Sequence, residues 1–240
     1  ARIIGIRGPK GVGKSTLLRT MVGFQEPLEG SVEVLYGERG GVSVHSLSPT
    51  ERARLISVVL TEKPDVLVLP EMWQIGFFPR PVEAYADSDG KDTRLLLSEL
   101  AKKHHVNIIG GSVARLDSAT GKIYNTSYVF DREGQEVASY DKVHLFSPGH
   151  EDKVFAGGHN PCAFTLEGHR CALAICYDLR FGNFLSQTIK DADLLFLPAA
   201  WPKLRQRHWD VLTRARAIEY QAFVIAANGG ATAEDKHPLR

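Results

Sequence analysis

Short apolar runs alternate with amphipathic segments along most of this chain. Leu95, Leu96, Leu97 and Leu100 recur at helical spacing, which predicts a helix over residues 93–104 with these leucines on its buried side. Similar spacing predicts helices over residues 184–190 and 207–221. Compact apolar runs bounded by turn residues predict strands over residues 65–69, 106–112, 122–131, 135–142, 162–166, 171–176, 194–198 and 223–227. Strands separated by helices predict the α/β fold class.

The beginning of the chain carries a phosphate-binding pattern. Residues 8–16 read GPKGVGKST, which fits G-x-x-x-x-G-K-[ST], and they lie between a predicted strand at 3–6 and a predicted helix at 17–22. In such a loop, glycines let backbone N–H groups surround phosphate oxygens, the lysine meets the terminal phosphates and the serine holds Mg²⁺. The candidate nucleotide-binding residues are Gly8, Gly13, Lys14 and Ser15.

Residues 1–61 resemble the beginning of an ABC-type ATPase domain. The resemblance continues after the loop through residues 30–34 and 47–54. The rest of the sequence has no LSGGQ-like segment, switch histidine or glutamine loop, which that family uses to complete its site. A phosphate cradle without a residue that positions the attacking water does not hydrolyse ATP. We therefore expect phosphate binding at most, without turnover.

The junction near residue 62 does not have the composition of a linker. Residues 48–51 form a capping box with proline at the first helical position, and the following apolar spacing predicts a helix over 49–61. Pro64 ends this helix, and the strand at 65–69 follows directly. We therefore expect residues 1–61 to be a segment that is not an independent domain, and residues 62–240 to be the main core.

Three later segments each place a reactive side chain at the end of a predicted strand. These side chains are Glu71, Lys142 and Cys176. Taken alone, each residue has a structural alternative. Glu71 could be a capping carboxylate, Lys142 a solvated strand end and Cys176 a small buried apolar side chain. A carboxylate, an ammonium and a thiol that meet are the groups required for covalent hydrolysis with a cysteine nucleophile.

Five ordered segments resemble the nitrilase, or carbon–nitrogen hydrolase, superfamily. They read LPEMW at 69–73, DKVHLF at 141–146, ICYDLRF at 175–181, LPAAWP at 197–202 and ARAIEYQ at 215–221. The resemblance covers about residues 62–230, and its Trp201-Pro202 variant is most similar to the ω-amidase branch. It implies a nitrilase-like, four-layer α-β-β-α sandwich. The ABC-like segment would replace the first strand and helix, and the C-terminal part would be truncated.

The resemblance also implies roles for the candidate residues. Cys176 is expected to attack the substrate as a thiolate, and Glu71 to transfer the protons. Lys142 is expected to stabilise the oxyanion together with the backbone N–H of Tyr177. Glu151 resembles a second glutamate that supports the lysine. The spacing between these two residues varies among relatives, so the alternative that Glu151 has no role in the site stays open.

Further residues are candidates for the surroundings of this site. Trp73, Phe77, Trp201 and His208 are candidates for the pocket wall. For each aromatic residue among them, core packing is the alternative. Asp178 and Arg180 are expected to brace the turn after the cysteine as an ion pair.

Composition limits the partners and the compartment. The net charge is +1 with 24% charged residues, so neither nucleic acid nor a membrane is an expected partner. The apolar runs are too short to span a bilayer, no leader is evident, and three cysteines make no disulfide framework, which together predict the cytoplasm. The nine histidines have no metal-ligand spacing, so we expect no metal and no cofactor. The resemblance implies a homodimer.

The sequence therefore predicts a carbon–nitrogen hydrolase that converts a small ω-amide into an acid and ammonia through a thioester. Two alternatives stay open. The chain could be a P-loop nucleotide-binding module with the remainder as scaffold, or an inactive fusion fragment. Convergence of Glu71, Lys142 and Cys176 around one cavity would favour the hydrolase.

Overall fold

The computed structural model describes residues 33–36, 39–43, 64–75 and 81–228 of the chain. Several sequence predictions fall outside the described residues: the strand at 3–6, the helix at 49–61, the nucleotide-binding residues Gly8, Gly13, Lys14 and Ser15, and the pocket candidate Phe77. In the first two described ranges, β1 (Glu33–Tyr36) and β2 (Arg39–Ser43) pair as an antiparallel hairpin.

A six-stranded mixed sheet forms the first half of the main fold. Its strands are β3 (Val66–Val68), β4 (Asp87–Ser88), β5 (Asn107–Ile109), β6 (Val113–Leu116), β7 (Ile123–Phe130) and β8 (Glu136–Asp141), and helix α1 (Lys91–His104) connects β4 to β5. β7 is the centre of the sheet, since it pairs antiparallel with β8 and, at different points along its length, with β5 and β6. β3 extends the sheet beyond β5, and β4 extends it beyond β6, both in parallel.

A four-stranded sheet forms the second half. Its strands are β9 (Cys162–Leu166), β10 (His169–Leu173), β11 (Leu194–Ala199) and β12 (Phe223–Asn228), in the order β12-β11-β10-β9. β9 and β10 form a hairpin, whereas β10, β11 and β12 are parallel and need crossover connections. Helices α2 (Gly182–Ile189) and α3 (Gln206–Tyr220) provide these connections. Of the helices in the described ranges, none is both long and apolar enough to cross a membrane.

The two sheets pack face to face, and helices cover their outer faces. Ile109 and Val129 of the first sheet share a buried cluster with the strands of the second sheet and with residues of α2 and α3. Their neighbours Ile108 and Tyr128 point to the opposite face, as strand geometry requires, and pack with Leu97 of α1. The layers are thus helix, sheet, sheet and helix, so the expected α/β sandwich is confirmed.

The buried face of α1 differs from the predicted one. Leu97, Leu100 and Ala101 are buried together with Thr93, whereas Leu95 is 62% exposed. Leu95 precedes Leu97 by two positions, which places it about 200° away around a helix with 3.6 residues per turn. The prediction that Leu95 faces the core is therefore wrong.

Candidate active site

Glu71, Lys142 and Cys176 meet at one end of the sandwich. Glu71 follows β3, Lys142 directly follows β8, and Cys176 follows β10. Lys142 is 0% exposed, Glu71 is 3% exposed and Cys176 is 6% exposed. Three segments that are far apart in the sequence therefore bring a carboxylate, an ammonium and a thiol into one enclosed cluster.

A tight turn after β3 holds Glu71. Met72 adopts a φ of 52°, and its N–H donates to Oγ of Ser112 at 3.1 Å. Gly111 has a φ of +60°, and a side chain at this position would collide with the carbonyl oxygen of Pro70. Glycine therefore allows the loop between β5 and β6 to pack against the turn that carries Glu71.

Lys142 contacts two buried glutamates. Its Nζ lies 2.7 Å from Oε1 of Glu71, 2.8 Å from Oε2 of Glu151 and 3.1 Å from Oε1 of Glu151. Glu151 begins a short 3-10 helix and is 1% exposed, and it also accepts the N–H of Phe146 at 2.6 Å. Glu151 thus contacts the lysine that it was expected to support.

The sequence analysis missed another polar side chain in this cluster, that of Asn125. Its Nδ2 donates to Oε1 of Glu71 and to Oε1 of Glu151, both at 2.9 Å, and the residue is completely buried. Asn125 lies on β7, and its carbonyl oxygen accepts the N–H of Lys142 at 2.8 Å. The two residues are therefore cross-strand neighbours on one face of the hairpin. The available signal was an amide in the interior of a predicted strand.

Cys176 lies in a strained turn. β10 ends at Leu173, earlier than the predicted end at Cys176, and a short 3-10 helix begins at the cysteine. Cys176 has a φ of 47°, and this left-handed conformation costs a non-glycine residue roughly 1–2 kcal/mol. The first N–H groups of a helix have no carbonyl partner within it, which applies here to Tyr177. The turn therefore presents a thiol and a backbone donor side by side.

The carboxylate of Asp178 accepts hydrogen bonds that stabilise this turn. Its Oδ1 accepts the N–H of His144 at 2.9 Å and also lies 2.9 Å from Nδ1 of His144. Its Oδ2 accepts the O–H of Tyr140 at 2.7 Å and the N–H of Ile175 at 3.0 Å. The buried carboxylate thereby joins the residue before the cysteine to the segment that follows Lys142.

The expected ion pair between Asp178 and Arg180 does not form among the described residues. The carboxylate of Asp178 points into the interior, whereas one terminal nitrogen of Arg180 lies 3.0 Å from Nδ1 of His208. The Arg180 guanidinium also lies over the ring of Trp201, 4.9 Å from its centroid. The prediction is wrong because Asp178 and Arg180, two positions apart on the short helix, direct their side chains to different partners.

Burial and mutual charge shift the pKa values in this cluster. Burial alone would lower the pKa of Lys142, but the negative charges of Glu151 and Glu71 raise it well above its ordinary value. Burial raises the pKa of Glu151, with Lys142 opposing the rise and Glu71 adding to it. Burial also raises the pKa of the Cys176 thiol, and the charge of Glu71, which is hydrogen-bonded to the thiol, raises it further while Lys142 opposes. The cluster therefore contains an ammonium and a neutral thiol that lies beside its carboxylate partner.

A small cavity opens beside Cys176. It is lined by Phe146, Cys176, Tyr177, Arg180, Ala200, Trp201, Pro202 and Arg205. Aromatic and other apolar surface provides most of this lining, and Arg180 and Arg205 are the charged residues beside it. A small molecule that enters the cavity would lie beside Cys176 and Tyr177.

The three described pocket candidates occupy different environments. Trp201 lines the cavity, whereas His208 reaches it only through its contact with Arg180. Trp73 is 2% exposed, packs between α1 and the first sheet, and donates its indole N–H to the carbonyl oxygen of Gly110 at 3.0 Å. For Trp73, the alternative of core packing therefore applies, because the core supplies the acceptor that a buried indole requires.

The cluster holds the kinds of group that acyl transfer requires: a thiol, an acidic side chain beside it, a fixed cation and a backbone donor. Within the part of the chain that the structure describes, no group of three or more His, Cys, Asp or Glu side chains could hold a metal ion.

Comparisons with protein families match two separate parts of the chain. The family described as Carbon-nitrogen hydrolase matches residues 52–238. The family described as ABC transporter matches residues 1–40. The first match contains every residue of the buried cluster, and the second contains the P-loop pattern.

Similar proteins are amidases and a nitrilase-superfamily member. The 2-oxoglutaramate amidase of Bacillus subtilis (strain 168) is 42% identical over 165 residues, which cover 68% of this chain and 63% of that protein. Omega-amidase NIT2 of Homo sapiens is 32% identical over 196 residues, covering 78% of this chain and 70% of that protein. The structure of Saccharomyces cerevisiae Nit3, a member of branch 10 of the nitrilase superfamily, aligns with a TM-score of 0.70 at 26% identity, covering 80% of this chain and 72% of that chain. The chain thus spans less than two thirds of the length of the Bacillus protein.

Proposed function

Since this chain belongs to the carbon-nitrogen hydrolase family, we propose that it hydrolyses small ω-amides to a carboxylic acid and ammonia. The observation that carries the proposal is the enclosed contact between Glu71, Lys142 and Cys176. The names of the similar amidases support the same reaction class. In this proposal the reaction passes through a thioester on Cys176.

In the first half of the reaction, Glu71 accepts the thiol proton as the sulfur of Cys176 attacks the amide carbon. The proton transfer is required because the pKa of the buried thiol lies well above its ordinary value, which keeps it neutral until substrate arrives. A carbon–sulfur bond forms, and the carbonyl electrons move onto the oxygen. The tetrahedral intermediate then breaks its carbon–nitrogen bond while Glu71 returns the proton to nitrogen. Ammonia leaves, and the acyl group remains as a thioester.

In the second half, water attacks the thioester. Glu71 takes one proton from this water, and the carbon–sulfur bond of the resulting intermediate breaks. The proton returns to the sulfur of Cys176, and the carboxylic acid is released. One carboxylate therefore serves as base and acid in both halves, so it must lie beside the sulfur throughout.

Lys142 and the backbone N–H of Tyr177 stabilise the oxygen that becomes negative. The ammonium of Lys142 has three protons, and the two shortest contacts, to Glu71 and to Oε2 of Glu151, use two of them. Its contact with Oε1 of Glu151 is longer, at 3.1 Å, so this proton can turn to the oxyanion at the least cost. A fixed donor of this kind contributes on the order of 3 kcal/mol of transition-state stabilisation.

Two arginines beside the cavity support an anionic substrate. Arg180 and Arg205 are among the lining residues, so in this proposal a carboxylate that the substrate carries besides the reacting amide pairs with one of them. This favours monoamides of short dicarboxylic acids, which are the ω-amides, over neutral amides and nitriles.

Ammonia release from 2-oxoglutaramate and glutaramate tests the proposal. Wild-type protein is expected to release ammonia, and Cys176→Ala is expected to release none. Cys171→Ala is the matched control, because Cys171 is a free, buried cysteine on β10 outside the cluster, and it should keep its activity. Ammonia release that survives Cys176→Ala would refute the assigned nucleophile.

We also propose that residues 1–61 are an ABC-like segment without ATPase activity and that residues 62–240 are the hydrolase core. The separation of the two family matches, at 1–40 and 52–238, supports this division. Thermal stabilisation by Mg-ATP that disappears in Lys14→Ala would indicate that the P-loop binds nucleotide. ATP hydrolysis by the wild-type protein would contradict the proposal.

The cytoplasm is the compartment that suits this chemistry. Cys162, Cys171 and Cys176 are all free, and a cysteine nucleophile requires a reduced sulfur. Fractionation of cells that express the protein is expected to recover it with cytoplasmic markers. Recovery only from an oxidising compartment would reject this assignment.

A further inference from the structure

We infer that Asn125 is a positioning residue that holds the Glu71 carboxyl group for proton transfer without touching the substrate. The inference rests on the proposed role of Glu71 as the base. It assigns a function to a buried amide on β7 that neither thiol attack nor oxyanion stabilisation uses.

The contacts form a closed ring of two donors and two acceptors. Oε1 of Glu71 receives Nζ of Lys142 at 2.7 Å and Nδ2 of Asn125 at 2.9 Å. Oε1 of Glu151 receives the same two nitrogens, at 3.1 Å and 2.9 Å. Because both neighbours of the amide are carboxylate oxygens, its nitrogen must face them. Asn125 thus links the two glutamates on the side that Lys142 leaves open.

The two oxygens of Glu71 have different partners. Oε1 is occupied by Lys142 and Asn125, whereas Oε2 accepts the N–H of Ala200 at 2.8 Å. Oε1 thus has two side-chain donors, and Oε2 has one backbone donor. In this inference Oε2 is the oxygen that takes the proton from the thiol.

The neutrality of Asn125 is the feature that suits this position. The titratable groups that face Glu71 are Lys142 after β8, Glu151 on its 3-10 helix and Cys176 after β10. Two acidic side chains share one ammonium. An amide donates to both of them without adding a charge to the cluster.

Loss of this donor has a specific consequence for pH dependence. A hydrogen bond to the ionised form of a carboxyl group lowers its pKa, so its removal raises the pKa. The acid limb of the kcat/KM profile, which reports the base in the free enzyme, is then expected to move to higher pH. Loss of one hydrogen bond to a charged group corresponds to a shift of about one pH unit.

The test compares Asn125→Leu and Asn125→Ala with Asn107→Ala. Leucine keeps most of the side-chain volume and alanine does not, so a shift common to both variants reports the lost donor and not a change of packing. Asn107 is the matched control: it is 1% exposed, and its Nδ2 donates at 2.9 Å to the carbonyl oxygen of Asp65 and to Oε1 of Glu167, away from the cluster. Both Asn125 variants should shift the acid limb upward, and Asn107→Ala should leave it in place.

A second readout does not depend on amide hydrolysis. Alkylation of Cys176 by iodoacetamide can be followed by mass spectrometry as a function of pH. The lower midpoint of this pH profile is expected to move to higher pH by a similar amount in both Asn125 variants. If the wild-type protein releases no ammonia, the proposed function fails, and the alkylation profile still tests Asn125. If the rate falls by the same factor at every pH and neither pH profile shifts, Asn125 has only a structural role. An equal shift in Asn107→Ala would also overturn the inference.

Discussion

Nζ of Lys142 lies 2.7 Å from Oε1 of Glu71, and the side chains of both residues are fully shielded from solvent. Water cannot compensate either charge, so each depends on its partner. Oε2 of Glu151 also lies 2.8 Å from Nζ of Lys142, so Glu151 depends on the same ammonium. Lys142 is therefore the centre of the electrostatics of the site, and its removal would leave two buried carboxylates unpaired.

Lys142→Met is expected to destabilise the fold as well as to remove activity. Breaking a buried ion pair from one side costs about 3–5 kcal/mol, because the remaining charge stays in the interior. Urea denaturation at neutral pH measures this loss in the free energy of unfolding. Adding Glu151→Gln removes one of the unpaired carboxylates and should recover part of the stability without restoring activity.

Lys153→Met is the matched control for this substitution. The side chain of Lys153 is 74% exposed and pairs with Asp152 at 3.5 Å. Its replacement should change the free energy of unfolding by less than about 0.5 kcal/mol. If the two methionine variants were equally stable, the cluster would not hold the charges assigned to it.

The three clustered residues could be selected from the sequence because each one lies at the end of a predicted strand. Glu71, Lys142 and Cys176 follow β3, β8 and β10, and polar residues at strand ends are visible in a single sequence. Their meeting depends on how the two sheets pack, which local pattern does not contain. The resemblance to a known family supplied that step.

Asn125 could not be placed from the sequence because of a bulge in its hairpin. Next to the turn, Phe130 pairs with Glu136, but Val129 pairs with Ala138, so Val137 is an extra residue on β8. Without this bulge, Asn125 would face Asp141. A register change of one residue moves every following side chain to the other face of the sheet. The bulge therefore brings Lys142 opposite Asn125.

Trp73 illustrates a different limit of sequence reasoning. A tryptophan beside a candidate catalytic residue suits a pocket wall and a core position equally, because its body is apolar and its N–H needs one acceptor. The acceptor is the carbonyl oxygen of Gly110, a residue distant in the sequence. Only the packing of α1 on the first sheet decides between the two environments.

Asp178→Asn is expected to reduce kcat by on the order of a hundredfold, the effect of misplacing a reacting group by about 1 Å. The carboxylate accepts N–H or O–H groups on both oxygens, from Tyr140, His144 and Ile175. An amide has one oxygen, so its NH₂ group would face at least one donor and displace the turn that holds Cys176. Steady-state kinetics with an ω-amide measures the loss.

Asp210→Asn controls for the change of charge. Asp210 lies on the exposed surface of α3, where it accepts a hydrogen bond from Gln206. Its replacement should leave kcat unchanged. Normal kcat in Asp178→Asn would mean that this network does not position the nucleophile.

The buried thiol of Cys162 is expected to make the protein less stable at alkaline pH. Burial raises its pKa from 9.0 to about 11. Below pH 9 both the folded and the unfolded thiol are protonated, and the contribution to stability is complete. As pH rises from 9 to about 11, the unfolded thiol ionises first, so up to about 3 kcal/mol of this contribution is lost.

Cys162→Ala isolates this effect from other alkaline titrations. The variant should be less stable than the wild type below pH 9, and the difference should shrink as pH approaches about 11. Leu166→Ala is the control, since Leu166 is 5% exposed on the same strand and does not titrate. A constant difference for both variants would show that Cys162 keeps an ordinary pKa.

Arg180→Gln is expected to raise KM for anionic ω-amides with little change in KM for neutral amides of the same length. Arg180 is one of the residues that line the cavity beside Cys176, and in the proposed function it pairs with a substrate carboxylate. Loss of a charged hydrogen bond predicts a rise of roughly tenfold to a hundredfold in KM. Arg214→Gln removes the same charge from an exposed position on α3 and controls for the overall field of the protein. Arg180 also lies over the ring of Trp201, so an equal rise in KM for neutral amides would assign it to the shape of the cavity instead of carboxylate recognition.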